Sequence, residues 1–347
     1  MGGGDVVRVG LIGCGRIGQV HCRALEWNPK ADVVIAADFF LKAAESCAEK
    51  WGIPRAVQDW KEVVASPEVD AVVICSPSDT HCEIIIAAAN AGKQIFCEKP
   101  IDYDLARIDE ALSAVQSHGV KLQLGFQRRF DVNFVRVRDA VQNGEIGTPY
   151  MVNIISRDPA PPPIDYLKQS GGLFFDMMIH DFDMSRFVLG SEAVEISAVA
   201  SSFDPAISEI GDVTSAIVTI KFENGAIGAI QCCRKAVYGY DQRIEVLGSS
   251  GAVETGNNYP NTAIISSDAA IRRDLPLNFF MDRYKEAYAA EMEAFIDMVR
   301  TGTDPVVGGI DGRIPVVMAY AAAKSLKEGR PVKLSEIVSI CIAVSFG

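Results

Sequence analysis

The sequence is poor in the features that mark several protein classes. Its nine cysteines (Cys14, Cys22, Cys47, Cys75, Cys82, Cys97, Cys232, Cys233 and Cys341) are odd in number, and no two have C-x-x-C spacing. Disulfide frameworks and zinc sites are therefore disfavoured, and a reducing cytoplasm is the expected setting because no secretory leader is recognisable. The start Met1-Gly2-Gly3-Gly4 resembles a myristoylation signal, but Val6 stands where Ser or Thr is needed, so it reads as a flexible lead-in. The apolar end from Ile337 to Phe346 is too short to span a bilayer and reads as a packed terminal strand or a remnant. Positive charge is also scarce. With 33 Lys and Arg against 45 Asp and Glu, the formal net charge is −12, which repels nucleic acid and anionic membrane surfaces. No repeat of solenoid length and no low-complexity tract is visible.

What is present points to two globular domains. A chain of 347 residues exceeds the usual size of one domain, and 49% apolar with 22% charged residues suits packed cores. Short apolar strands alternate with helices over the first third: strands at Val6 to Ile12, Val33 to Ala37, Val69 to Cys75, Gln94 to Cys97 and Lys121 to Gly125, with helices at Arg16 to Trp27, Lys42 to Trp51, Glu83 to Ala91 and Leu105 to His118. This alternation predicts an α/β Rossmann domain with a parallel sheet over residues 1–125. Longer β segments follow: Tyr150 to Arg157, Val194 to Ser202, Asp212 to Glu223, Ala226 to Arg234 and Gln242 to Gly248. They predict an α+β domain over residues 126–334 with a large, mostly antiparallel open sheet, closed by helices at Tyr284 to Thr301 and Asp311 to Glu328, before a tail at 335–347.

Gly13-Cys14-Gly15-Arg16-Ile17-Gly18 fits G-x-G-x-x-G, placed between a strand and a helix. The first glycine permits the tight turn, the second lets a pyrophosphate approach the backbone, and the third lets helix and strand pack closely. Asp38, twenty residues beyond Gly18, ends the second strand, where a carboxylate can accept hydrogen bonds from ribose hydroxyls. A carboxylate there repels a 2′-phosphate, and Phe39 and Phe40 supply no arginine to bind one, so NAD is favoured over NADP. A methyltransferase-like use of the same fold is the competing reading. Arg16 is either a solvated helix-start residue or a cap on the pyrophosphate.

Two further clusters carry chemistry. Glu98-Lys99-Pro100 ends the fourth strand, at the sheet edge where ligands bind, and Lys99 is either directed at a nicotinamide or an ordinary surface lysine. In Gly171 to Asp183, Asp176 and His180 are four residues apart, so on a helix they share one face, with Phe175, Ile179 and Phe182 on the apolar side. A carboxylate one turn from an imidazole can orient it for proton exchange. The plainer reading is an amphipathic helix, and a metal site at His180, Asp181 and Asp183 is weakened because Asp181 points elsewhere.

The order of these motifs, with Gly-Phe-Gln-Arg-Arg-Phe-Asp from Gly125 to Asp131 and Tyr238-Gly239-Tyr240-Asp241-Gln242-Arg243, resembles the glucose–fructose oxidoreductase, inositol dehydrogenase and rhizopine-catabolism family, most of all its inositol 2-dehydrogenase branch. The resemblance runs from about Val6 to about Leu334. It implies Lys99, Asp176 and His180 as catalytic residues. It implies a cofactor site of Gly13, Gly15, Arg16, Ile17, Gly18, Asp38, Ser76, Ser78, His81, Glu98, Lys99 and Gln127. Arg129, Arg157, Asp158, Tyr240 and Tyr284 become candidates for holding substrate hydroxyls, beside Lys99, Asp176 and His180. Ser76-Pro77 stands where the family more often has Thr-Pro, and the loop from Asp158 to Pro163 either shapes the site or merely connects. No metal is implied, and a homotetramer formed through the open sheet is.

The expected reaction is NAD-dependent oxidation of a ring hydroxyl of a cyclic polyol, an inositol isomer, to a ketone. An aldose or other pyranose is the alternative substrate, and a non-catalytic NAD-binding sugar sensor is the alternative of another class. His180 would take the hydroxyl proton with Asp176 stabilising the resulting imidazolium, and Lys99 would hydrogen-bond the developing alkoxide, or take the proton first.

Overall fold

The computed structural model describes residues 6–338. They divide into two units, one of residues up to Phe130 with Lys285–Ile314, the other of Asp131–Tyr284 with the residues from Pro315 onward.

In the first unit, strands β1 (Val7–Ile12), β2 (Ala31–Ala37), β3 (Arg55–Val57), β4 (Ala71–Ile74), β5 (Gln94–Glu98) and β6 (Leu122–Gly125) alternate with helices α1 (Arg16–Glu26), α2 (Leu41–Trp51), α3 (Trp60–Ala65), α4 (His81–Asn90) and α5 (Leu105–His118). All pairings are parallel, in the order β3-β2-β1-β4-β5-β6. Every residue of β4 is buried, as a strand covered on both faces requires, and this is why its sequence is an unbroken apolar run. The strand order reverses beside β1, so the carboxyl ends of β1 and β4 open on the crevice where doubly wound sheets take ligands.

The second unit runs through α6 (Val132–Gln142), β7 (Pro149–Arg157), α7 (Ile164–Leu167), α8 (Leu173–Asp176), α9 (Met178–Leu189), β8 (Ala193–Ser201), α10 (Pro205–Glu209), β9 (Ser215–Phe222), β10 (Ile227–Cys233), β11 (Asp241–Gly248), β12 (Gly251–Thr255), the ribbon β13 (Ile264–Ser266) and β14 (Ile271–Arg273), and α11 (Phe280–Arg283). Its large sheet has the order β12-β11-β7-β10-β9-β8-β15, where β15 is Val332–Lys333. Only β7 and β10 pair in parallel. Strand β9 alternates cleanly. Ala216, Val218, Ile220 and Phe222 point into the core while Ile217, Thr219 and Lys221 face outward, the pattern of a sheet covered on one side.

The sequence boundary at 125/126 needs one correction. Helix α12 (Lys285–Thr301) does not belong to the second unit: Met292, Phe295, Ile296 and Met298 join Val9, Leu11, Ala36, Val73 and Phe96 in the core of the first. An ion pair from Lys30 to Asp297 at 2.9 Å holds the same contact from the surface. Helix α13 (Gly309–Glu328) begins in the first unit and continues in the second. Residues 334–338 are helical; the rest of the tail, where a terminal strand or a remnant was expected, and the glycine-rich start lie outside the described residues. Among the described residues no helix is long and apolar enough to cross a membrane.

Candidate active site

The glycine motif forms the turn between β1 and α1. Gly13 has φ +97°, and a Cβ there would sit 2.5 Å from the Cys75 backbone, so only glycine fits. At Gly18 a Cβ would strike the Gly13 carbonyl, which is the close packing of helix on strand that the third glycine permits. Around Gly15 a Cβ would meet nothing within 4 Å, leaving open space above the loop. Gly15 caps α1 without any side-chain hydrogen bond, and the first turn carries no acid, so the amide-rich end of the helix dipole is available to an anion.

Asp38 is oriented by two amides. Its Oδ2 accepts from Cys14 N at 2.9 Å, which ties it to the glycine turn, and its Oδ1 accepts from Phe40 N at 2.9 Å. Each oxygen keeps lone-pair capacity for a ribose hydroxyl. Open space at Gly15, an uncapped helix start and a fixed carboxylate fit a dinucleotide. Gly13, Gly15, Arg16, Ile17, Gly18 and Asp38 are the residues that would hold it, and once bound it would supply the hydride acceptor.

The next loops are fastened from beneath. Ser76 Oγ and Thr80 Oγ1 lie 2.7 Å apart, with Ser78 between them in a short 3₁₀ turn. His81 is buried, its Nε2 lying 2.8 Å from the Ser76 carbonyl and its Nδ1 2.8 Å from the Pro100 carbonyl. Burial lowers the pKa of this ring against the pull of the two carbonyls. Both nitrogens are thus directed at loop backbone, and His81 joins the loop after β4 to the segment that carries Lys99. Glu98 also turns inward. Its Oε1 takes the ring N–H of buried His21 on α1 at 2.7 Å, and its Oε2 takes the Lys99 N–H at 3.2 Å. His21 Nδ1 has no hydrogen-bond partner, so Nε2 alone ties the ring to the carboxylate. Glu291 of α12 is fully buried nearby, and burial together with Glu98 pushes its carboxyl well above the usual range.

Gln127 and Arg129 follow β6 in a 3₁₀ turn, both buried, and Arg129 pairs with Asp311 at 2.9 Å.

In the second unit the expected single helix is broken. Asp176 ends α8, Met177 intervenes, and His180 lies in the first turn of α9, so the four-residue spacing does not run along one continuous helix. The break follows Gly171 and Gly172, both with positive φ, and a Cβ at Gly172 would lie 2.9 Å from Asp212 Oδ1, the oxygen that accepts from Leu173 N at 3.0 Å. Phe175, Ile179 and Phe182 are buried as expected. Asp176 is held on both oxygens: Oδ1 accepts from Tyr166 at 2.8 Å, and Oδ2 pairs with Arg234 at 3.0 Å.

Arg157 donates to the Tyr238 hydroxyl at 2.7 Å and lies 3.4 Å from Asp241 Oδ2. Asp158 anchors its loop through backbone bonds with Cys233 and Ala236. Tyr240 and Tyr284 are both buried and meet edge to face at 6.0 Å, with Phe134 beyond Tyr284. Arg234, Asp212, Tyr166, His21 and Glu291 were not expected from the sequence. One signal did exist for Arg234, because the period-two alternation of β10 puts it on the same inward face as Ile230 and Cys232.

Comparison with known proteins agrees with both halves. Residues 7–126 match the profile of an oxidoreductase family with an NAD-binding Rossmann fold, and residues 134–254 match the GFO/IDH/MocA C-terminal domain. The chain is 44% identical to a myo-inositol 2-dehydrogenase of Thermotoga maritima over 96% of this chain and all of that one. It is 46% identical to an inositol 2-dehydrogenase of Rhizobium meliloti, covering 95% of this chain and 99% of that one. Among solved structures, scyllo-inositol dehydrogenase of Lactobacillus casei with bound NAD(H) and scyllo-inositol superposes with a TM-score of 0.89 at 27% identity, over 95% of this chain and all of that one. With both family profiles matched in order and the likeness continuous along nearly the whole length, the chain belongs to the GFO/IDH/MocA family of oxidoreductases.

Proposed function

We propose that this protein oxidises one ring hydroxyl of myo-inositol, or of another inositol isomer, to the ketone with NAD as hydride acceptor. The observation that carries the reading is the joint presence of a fixed ribose-side carboxylate, Asp38, and the complete set Lys99, Asp176 and His180 in a chain that is similar from end to end to inositol dehydrogenases.

His180 accepts the proton of the reacting hydroxyl. Asp176, held on both oxygens, presents a carboxylate of fixed orientation that stabilises the imidazolium as it forms. Lys99 donates a hydrogen bond to the oxygen as negative charge develops there, and the Glu98, His21 and His81 contacts hold the backbone from which it projects. The polar residues Arg129, Arg157 and Asp158 supply hydrogen bonds for the other ring hydroxyls, with Tyr240 and Tyr284 completing the group. Ser76, Ser78, Glu98 and Gln127 complete the cofactor side.

A cytoplasmic homotetramer is part of the same proposal. Supporting it are the outward-facing Met151, Val199, Ile217 and Ile227 on the open face of the large sheet, an apolar surface of the kind that subunit contacts cover. The test of function is absorbance at the reduced-nicotinamide band when enzyme and NAD meet a panel of inositol isomers, aldoses and open-chain polyols. Reduction with one or two inositols is the expected result. Reduction only with aldoses moves the substrate class, and silence with NAD bound replaces the enzyme by a sensor.

A further inference from the structure

Arg234 directly follows strand β10, continuing its inward-facing alternation, and has no exposed surface. Its Nη1 meets Asp176 Oδ2 at 3.0 Å and its Nη2 meets Asp212 Oδ2 at 3.2 Å, so one guanidinium bridges two carboxylates. Burial alone would lower the pKa of the guanidinium, but the two carboxylates raise it, and the group is a permanent cation. Asp212 is fixed in turn, because its Oδ1 accepts from the amides of Leu173 at 3.0 Å and Val213 at 2.8 Å. The residue that orients Asp176 is therefore itself anchored to the first amide of α8, the helix that Asp176 ends.

We propose that Arg234 is a positioning residue for the reaction, acting through Asp176 with Asp212 as its anchor. This rests on the reading of Asp176 as a catalytic group. The planar fork fixes one carboxylate oxygen on the buried side and directs the other, Oδ1, to the side where half-exposed Tyr166 donates to it. The arrangement also sets the charge. The formal charges of two carboxylates and one guanidinium sum to one negative charge, and both carboxylates, each 11% exposed at the side chain, have the guanidinium as a partner.

The test uses the full-length enzyme with NAD and myo-inositol. R234K keeps the charge and loses the fork; kcat is expected to fall about tenfold or more, with the Kd for NAD changed by less than about twofold. R234M/D212N removes one positive and one negative charge together, so the net charge of the cluster is kept and the anchor's carboxylate is not left unpaired. The double variant should melt close to wild type while kcat stays down about tenfold or more. A role confined to stability predicts instead that kcat returns with the melting temperature. That return, or wild-type kcat in R234K, overturns the proposal. D176N, measured alongside, separates the two levels: a slow D176N beside a fast double variant overturns the role of Arg234 alone, whereas a D176N of wild-type rate overturns the catalytic reading of Asp176 and the proposal with it.

Discussion

Gly125→Ala is a small substitution with a large expected effect. Gly125 of β6 pairs with Glu98 of β5, and an added Cβ would lie 2.9 Å from Glu98 Oε2, 3.0 Å from its Cδ and 3.2 Å from its Cα. The backbone atom cannot retreat within a paired sheet, so the carboxylate must swing away. It would lose the bond from His21 at 2.7 Å and the bond from Lys99 N at 3.2 Å. Hydrogen bonds to a charged group contribute about 1.5–3 kcal/mol each, and the two together roughly 3–6 kcal/mol. Replacing glycine returns about 0.5–1 kcal/mol. A net destabilisation of about 2–5 kcal/mol follows, equivalent to a melting temperature lowered by about 3–7 °C in a chain of this size. Turnover should fall as well, because the displaced carboxylate holds the backbone of Lys99. Melting and steady-state rates of G125A, E98A and G125A/E98A check this. With the carboxylate gone there is no bond to lose and only the 3.2 Å approach to the backbone Cα of residue 98 remains, so G125A should cost clearly less on the E98A background. Equal costs on both backgrounds would refute the reasoning.

Three further outcomes are expected. Lys99→Met and His180→Ala should each lower kcat by on the order of a hundredfold or more while leaving the Kd for NAD nearly unchanged, measured by steady-state rates and cofactor titration. Asp38→Ala should weaken NAD and reduce discrimination against NADP, because it removes both the proposed ribose acceptor and the carboxylate that orders Cys14 N; the ratio of kcat/KM for the two cofactors reports it. Glu291→Gln should be more stable than wild type at neutral and alkaline pH. The raised pKa of Glu291 means that the folded state holds a proton the unfolded chain releases, a contribution present below the ordinary glutamate range and lost as pH rises toward the raised value. The wild-type deficit should therefore widen as pH rises from just above the ordinary glutamate range and level off once pH passes the raised value, seen as a growing gap in melting temperature; a gap independent of pH would contradict a raised Glu291 pKa.

Legibility in the sequence followed the range of the interactions. The Rossmann half was readable because its signals are local: apolar runs of strand length, the glycine turn, and Asp38 at the end of β2. The alternation of β9 and β10 likewise announced a sheet with one covered face. The return of α12 to the first unit was not readable, since an amphipathic helix carries no label saying which core takes its apolar face. The break at Met177 was hidden for a related reason. The turn at Gly172 that leads into it leaves space for Asp212, which arrives from 40 residues further along the chain. The buried polar contacts were the least visible. That Glu98 would face His21, that His81 would meet two carbonyls, or that Arg234 would bridge Asp176 and Asp212 follows from tertiary placement, in which each partner is an ordinary polar residue until the fold removes its water.

The measurement that bears most directly on the central claim is the fate of the ring hydrogen. Enzyme, NAD and myo-inositol deuterated at every ring carbon are allowed to react, and the reduced nicotinamide is isolated and weighed by mass spectrometry. Hydride transfer from the carbon bearing the reacting hydroxyl predicts one deuterium in each reduced cofactor and a slower rate than with unlabelled inositol. Reduced cofactor without deuterium, or no reduced cofactor from any inositol isomer, would contradict the account.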